Sequence, residues 1–108
     1  MEDFDKAKMM YGKLLEFNSK DVDSIMAMIR IYYNEKSFEG VIEFSNKLIS
    51  IEDGSIIGHR FLYRAHINLD NLESAVHHLN AIINSDDNDV EALVELGRTK
   101  YKLSLIHI

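Results

Sequence analysis

Apolar positions recur along the chain at the three- and four-residue spacing that is typical of amphipathic helices. In the stretch 4–17 the apolar residues of one stripe are Phe4, Ala7, Met10, Tyr11, Leu14 and Leu15. Five further stretches show the same spacing, and short polar breaks separate them. The sequence therefore predicts six helices, over about 4–17, 22–33, 38–51, 56–69, 72–84 and 90–102.

The predicted helices repeat with a period of 34 residues. Asp21, Ser55 and Asp89 are separated by this step, and each is a favourable N-cap followed by a β-branched residue. The same step matches apolar residues in four sets: Phe4, Phe38 and Leu72; Ala7, Val41 and Ala75; Leu14, Leu48 and Ile82; Met28, Leu62 and Leu96. Two helices per period indicate an all-α, right-handed α-solenoid of antiparallel helix pairs.

Over residues 4–102 this pattern resembles the tetratricopeptide repeat (TPR) family, whose unit is a helix-turn-helix of the same length. The matching positions are Leu93, Leu96, Gly97 and Tyr32 in first helices, and Phe38, Val41, Leu48, Leu72, Ala75 and Ile82 in second helices. Some positions depart from the family: Ile29 and Tyr63 replace a small residue, His59 and His66 replace large apolar ones, and Asp53 and Asp87 replace proline. The resemblance implies a protein-binding scaffold.

The period divides residues 1–102 into one domain, made of the second helix of a repeat (1–20), two complete repeats (21–54 and 55–88) and a further first helix (89–102). The last six residues, LSLIHI, break the pattern. They equal the in-frame translation of a transposon end used to prepare sequencing libraries. We therefore expect 103–108 to be a non-native tail, with the natural chain continuing beyond Lys102 as part of a longer protein.

The composition and charge of the chain argue against several classes of function. The chain is 46% hydrophobic and 28% charged, which is typical of a globular protein, and it contains no cysteine. A formal charge of −6 argues against non-specific nucleic-acid binding, and no apolar run is long enough for a membrane span. No Gly-rich phosphate loop or nucleophile motif is present. We expect a soluble, cytoplasmic protein that is not an enzyme and uses no cofactor or metal.

The four arginines are all on first helices, and Arg30, Arg64 and Arg98 share one repeat position. In the resembling family this face lines a concave groove that holds a partner's peptide. The predicted ligand-binding groove comprises Arg30, Tyr33, Asn34, Arg60, Arg64, Asn68, Arg98 and Tyr101. Guanidinium groups suit carboxylates, and the like charges of Arg60 and Arg64, four residues apart, favour an anion between them. An acidic or carboxylate-bearing peptide is the expected ligand.

Three alternatives remain open. The arginines can pair with acids of a neighbouring repeat, such as Glu91, Glu95 or Asp23, and hold the stack together. The chain can be the non-catalytic arm of a larger enzyme, for example a glycosyl- or sulfotransferase. The uncapped C-terminal helix can mediate self-association. The Lys and Asn pattern of the family's carboxylate-clamp members is absent, so recognition of a chaperone C-terminus is not implied.

The histidines are interpreted as structural. His59 and His66 lie seven apart on an inward stripe and only loosely match metal-ligand spacing, so hydrogen-bonded core histidines are expected there. His77 and His78 are adjacent on the fifth helix and are expected to be partly exposed and unpaired.

Overall fold

The structure is a computed structural model that describes residues 3–51 and 55–106. This part of the chain forms six α-helices: α1 (Phe4–Phe17), α2 (Val22–Asn34), α3 (Phe38–Ile51), α4 (Ile56–Asn68), α5 (Leu72–Ser85) and α6 (Val90–Ile106). The all-α prediction is confirmed. The turn predicted at 52–54, including Asp53, and the tail residues 107–108 lie outside the described residues.

Each helix packs against the helix before it and the helix after it in the chain. This arrangement gives an elongated body of 48 × 28 × 21 Å, with each helix pair stacked on the next. The core follows the predicted apolar stripes in α2, α3 and α5, but not in α1, where no residue is buried and Met10 and Leu14 are 61% and 47% exposed. One buried cluster joins α2, α3 and α4 around Ile25, Ile29 and Leu48, and a second joins α4, α5 and α6 around Leu79 and Ile82.

The 34-residue period is visible in the backbone of the two turns that join the helices of each complete repeat. Lys36 and Asp70, one period apart, both adopt a left-handed conformation, with φ of 59° and 62°. In each turn the next N–H closes the helix end: Ser37 donates to the Tyr32 carbonyl (2.9 Å) and Asn71 to that of His66 (2.7 Å). These are Schellman-type C-caps built without glycine.

Two of the three predicted N-caps are confirmed. The Ser55 hydroxyl accepts from the Gly58 N–H at 3.3 Å, and the Asp89 carboxylate accepts from the Ala92 N–H at 2.9 Å. Asp21 also occupies the N-cap position of α2, but its side chain does not hydrogen-bond to the backbone of that helix. Its carboxylate accepts instead from the Ser24 hydroxyl at 2.9 Å, because the serine side chain competes with the backbone for the capping oxygen.

Small residues occupy a buried repeat position of the first helices other than the one that the family pattern indicated. Ser24, Gly58 and Ala92, one period apart, are all buried. A methyl group added to Gly58 would lie 2.7 Å from Cγ1 of Ile49 on α3. At Gly97, which matches the family's small position, an added methyl group would have no neighbouring atom within 4 Å.

The sixth helix extends further than the pattern indicated. Instead of ending near Lys102 it continues through residue 106, and Leu103 and Ile106 line a cleft with residues 70–74. Much of its apolar surface is exposed: Val90, Leu93, Val94, Leu105 and Ile106 are each 45–71% exposed. Within the described part of the chain, no helix has the length and apolar character needed to cross a membrane.

Candidate peptide-binding surface

The first helices α2, α4 and α6 share a cleft of about 240 Å³. It brings together three predicted groove residues: Tyr33 from α2 and Arg64 and Asn68 from α4. Tyr33 is half-buried, and its ring packs edge-on against Phe61 with 5.7 Å between centroids, so its orientation is fixed by the core. From α6, Glu91 and Glu95 also line the cleft. The surface therefore carries both signs of charge.

An ion-pair network links α4 to the start of α6. Arg60 donates to the Asp89 carboxylate at 2.6 Å and also to Glu91, while Arg64 donates to the other Glu91 oxygen at 2.7 Å. The Glu91 carboxylate thus lies between the two guanidinium groups, where the spacing of the arginines favoured an anion. In this structure that anion is supplied by the chain itself, as in the alternative in which the arginines pair with a neighbouring repeat.

This network changes the protonation of its members. The hydrogen bond from Arg60, helped by the Ala92 N–H, lowers the pKa of Asp89. Burial opposes ionisation of Glu91, but the hydrogen bonds from Arg64 and Arg60 outweigh it and hold the pKa of Glu91 below its usual value. Both carboxylates therefore stay ionised well into mildly acidic conditions. Asp89 also caps α6, so the network fixes where that helix begins.

Arg30 and Asn34 occupy a second, larger cleft of about 560 Å³ between α1 and α2, with Tyr11 and Ile31 in its wall. Arg30 is exposed and forms no ion pair among the described residues. The amide of Asn34 donates to the Arg30 carbonyl at 3.0 Å, and one repeat later Asn68 donates to the Arg64 carbonyl at 2.8 Å. The side-chain amides of these two predicted groove residues are thus hydrogen-bonded to the backbone of their own helices.

The remaining two predicted groove residues are on the exposed surface of α6. Arg98 is 69% exposed and pairs with Glu95 at 2.9 Å, within one turn of the same helix. Tyr101 is 67% exposed. Neither lines the clefts that contain Arg30 and Arg64. The structure therefore divides the eight predicted residues among two clefts, an ion-pair network and an exposed helix face.

His78 is partly exposed as expected, but the expectation that it is unpaired is wrong. Its ring is half-buried and packs against His59, His66 and His77, with centroids 5.0–5.5 Å away. A signal for this was present in the sequence, because His78 lies one period after Phe44, an inward position of α3. His77, by contrast, is exposed as expected.

Solved structures with the same arrangement identify the fold. The chain is similar to a crystal structure of MamA with a TM-score of 0.85 and 22% identity over 94% of this chain and 60% of MamA. A second MamA structure gives a TM-score of 0.84 at 22% identity, covering 94% of this chain and 55% of that one. The chain thus spans somewhat more than half of the length of MamA.

A third similar structure is the first TPR of Spaghetti (RPAP3) bound to the HSP90 peptide SRMEEVD, with a TM-score of 0.83 and 19% identity. It covers 94% of this chain and 80% of that one. No family model and no curated protein matches the sequence. The fold of this chain is an α-solenoid of the tetratricopeptide repeat type.

Proposed function

We propose that this chain is a protein-interaction module that binds an acidic or carboxylate-bearing peptide on the surface formed by its first helices. The convergence of Tyr33, Arg64 and Asn68 on one cleft carries the proposal, because it combines an aromatic contact, a guanidinium group and an amide. Arg30 and Asn34 extend the surface across α2. The similar TPR of Spaghetti holds a peptide in which three of seven residues are acidic, which supports this ligand class.

Binding at this cleft requires an exchange of ion pairs. Arg64 is already paired with Glu91, so an incoming carboxylate competes with an internal one. The Arg64 side chain is 33% exposed and Glu91 is 44% exposed, so both groups are accessible to a ligand and to water. Arg60, at 23% exposure and held by both Asp89 and Glu91, remains in place and anchors α6. In this mechanism Glu91 acts as a displaceable substitute for the ligand's carboxylate.

The test compares two substitutions with opposite expected effects on affinity. Fluorescein-labelled short peptides with free C-termini, rich in either Glu or Gln, would be titrated and followed by fluorescence anisotropy. Arg64→Gln is expected to weaken binding of the Glu peptides by roughly tenfold, since a charge-assisted contact is lost. Glu91→Gln is expected to strengthen it several-fold, because the competing carboxylate is removed.

The matched control is Lys13→Gln, which removes one positive charge from the exposed side of α1 and is expected to leave affinity unchanged. Arg30→Gln distinguishes the clefts, because it weakens binding only if the ligand extends into the cleft between α1 and α2. Equal affinity of wild type, Arg64→Gln and Arg30→Gln for the Glu peptides, with unchanged helical circular dichroism, would contradict the proposal.

A second candidate function is self-association through α6. The observation that favours it is the exposed apolar side of this helix, which includes Val90 (71%), Leu93 (46%) and Val94 (45%). Sedimentation equilibrium of the chain is then expected to show a mass that rises with concentration, and Leu93→Glu is expected to abolish the rise. A monomer at all concentrations would exclude this function.

A further inference from the structure

Three histidines form a stack between the two helices of the second complete repeat, and a fourth, His77, is exposed beside it. His59 and His66 are on α4, and His77 and His78 are on α5. The rings of His66 and His78 are nearly parallel, at 9° and 5.5 Å, while His59 approaches His78 from the other side with 3.0 Å between their Nδ1 atoms. These side chains lie where the repeat packs its two helices together.

The contact between His59 and His78 sets a limit on the protons that the stack can carry. Two Nδ1 atoms at 3.0 Å require that one ring donates and the other accepts, so a single hydrogen occupies the gap. Protonation of the accepting ring would place a second hydrogen there and break the contact. Protonation of the donating ring would put a positive charge against the neighbouring imidazoles.

The surroundings do not compensate for added charge. The Nδ1 of His66 is buried and has no hydrogen-bond partner among the described residues. On α3, Glu43 pairs with Lys47, and on α4, Arg60 is directed to the carboxylates of α6. Burial lowers the pKa of His59 and of His66, and burial together with the other histidines lowers the pKa of His78 to about 4. No carboxylate in the described part of the chain raises the pKa of any of these three histidines.

The equivalent positions of the first complete repeat contain no titratable imidazole. One period before His59, His66 and His78 are Ile25, Tyr32 and Phe44. Tyr32 and Phe44 stack at 5.7 Å and 24°, much as His66 and His78 do, and Ile25 is fully buried. The second repeat therefore keeps the packing geometry of the first but places groups that can take up protons at three of its packing positions.

We propose that the histidine stack is a proton-sensitive lock, which holds α4 against α5 while its imidazoles are neutral and releases them in mild acid. The geometry favours a proton over a metal ion as the controlling ligand. Because the His66 ring is parallel to that of His78, its nitrogens do not converge on the gap between His59 and His78. Among the described residues, no group of three or more potential ligands is arranged to hold a metal.

The direction of the pH dependence follows from proton linkage. A histidine has a pKa of about 6.5 in the unfolded chain, whereas that of His78 is about 4 in the folded one, so the unfolded state binds more protons. The stabilisation is complete above about pH 6.5 and is lost as the pH falls towards 4. For His78 alone, the ratio of folded to unfolded protein is expected to fall about 20-fold between neutral pH and about pH 5.

The experiment replaces the stack by the residues of the first repeat. The swapped chain carries His59→Ile, His66→Tyr, His78→Phe and Ser74→Gly. Ser74→Gly is needed because the equivalent residue of the first repeat is Gly40, where a side chain would clash with the Tyr32 ring. Urea unfolding, followed by circular dichroism, is compared near pH 7 and near pH 5. Wild type is expected to lose stability by roughly 20-fold or more in the folded-to-unfolded ratio, and the swapped chain by less than about threefold.

His77→Gln is the matched control, since it removes an exposed histidine beside the stack and is expected to retain most of the wild-type pH dependence. If the swapped chain does not fold, NMR titration of the wild-type histidines replaces it. His78 and at least one other histidine are then expected to remain neutral below pH 6, where a free histidine is largely protonated. Identical pH dependence of wild type and swapped chain, or an NMR titration of His78 at the ordinary histidine value, would overturn the proposal.

Discussion

The two complete repeats have the same backbone but bury different chemistry. In the first (α2 and α3) the helices are joined by Ile25, Tyr32 and Phe44, whereas in the second (α4 and α5) the same positions are histidines. The turn between the helices is nevertheless identical in form, with a left-handed residue at Lys36 and at Asp70. The repeat geometry is therefore specified by helix ends, small residues and ring shape, and it tolerates a complete change of polarity at the packing positions.

The two repeats also differ in how each first helix contacts the next one. Met26 and Ile57 stand one period before Arg60 and Glu91. The junction between α4 and α6 is thus charged at positions where the junction between α2 and α4 is apolar. A charged junction is adjustable by salt, pH or a competing carboxylate, whereas an apolar one is not. The proposed ligand cleft lies at the charged junction.

The largest effect in this comparison is expected from Gly40. A methyl group at this position would lie 2.6 Å from the Tyr32 ring, whereas the second repeat accommodates Ser74 beside the smaller ring of His66. Gly40→Ala is expected to lower the free energy of unfolding by about 1 to 2 kcal/mol, since overpacking outweighs the gain in helix propensity. Urea unfolding measures this loss.

Two further variants test whether contact with the Tyr32 ring causes the expected loss of stability in Gly40→Ala. Gly97→Ala, with nothing within 4 Å, is expected to stabilise the chain by up to about 1 kcal/mol through propensity alone. Gly40→Ala combined with Tyr32→His reproduces the pairing of the second repeat and is expected to recover part of the loss. If Gly40→Ala stabilises as much as Gly97→Ala does, ring size does not explain the difference between the repeats.

Much of this fold could be predicted from the sequence because it depends on local patterns. Apolar spacing and the 34-residue period give the six helices, their pairing and two of the N-caps. The candidate site was harder to predict, because its geometry depends on which acidic group each arginine pairs with. Arg60 had a groove ligand and an internal acid as candidates, and only the packing of α6 on α4 and α5 puts Asp89 within 2.6 Å.

Two other features were missed. His78 was expected to be unpaired, although its repeat position, one period after the inward Phe44, indicated contact with the neighbouring helix. Gly97 was matched to the family's small position, yet it is exposed, and Gly58 is the first-helix glycine that closely approaches a neighbouring helix. For His78 the repeat position was a better guide than the residue type, whereas for Gly97 it was not, because Ile29 and Tyr63 are buried at that position.

An intermediate effect is expected from Glu91→Gln at the charged junction. Its partners Arg60 and Arg64 are 23% and 33% exposed, so water screens the pairs and the loss is expected to be about 0.5 to 1 kcal/mol at low salt. The loss is expected to shrink at high salt and below pH 4.5, where Glu91 begins to protonate in the unfolded chain, and to vanish as the pH falls through its lowered pKa in the folded state. Glu95→Gln, whose partner Arg98 is 69% exposed, serves as the control with a smaller effect. Equal, salt-independent losses in the two variants would argue against the network.

The smallest effect is expected from the two turns, and it tests the claim that the repeats share one backbone. Lys36 and Asp70 pay the steric cost of a left-handed conformation, at φ of 59° and 62°, which glycine avoids. Lys36→Gly and Asp70→Gly are each expected to stabilise the chain by roughly 0.5 kcal/mol, although the native side chains differ in charge. Equal shifts in the urea midpoint would mean that backbone geometry governs both turns. A gain in only one repeat would mean that a side-chain interaction at the other turn offsets the strain.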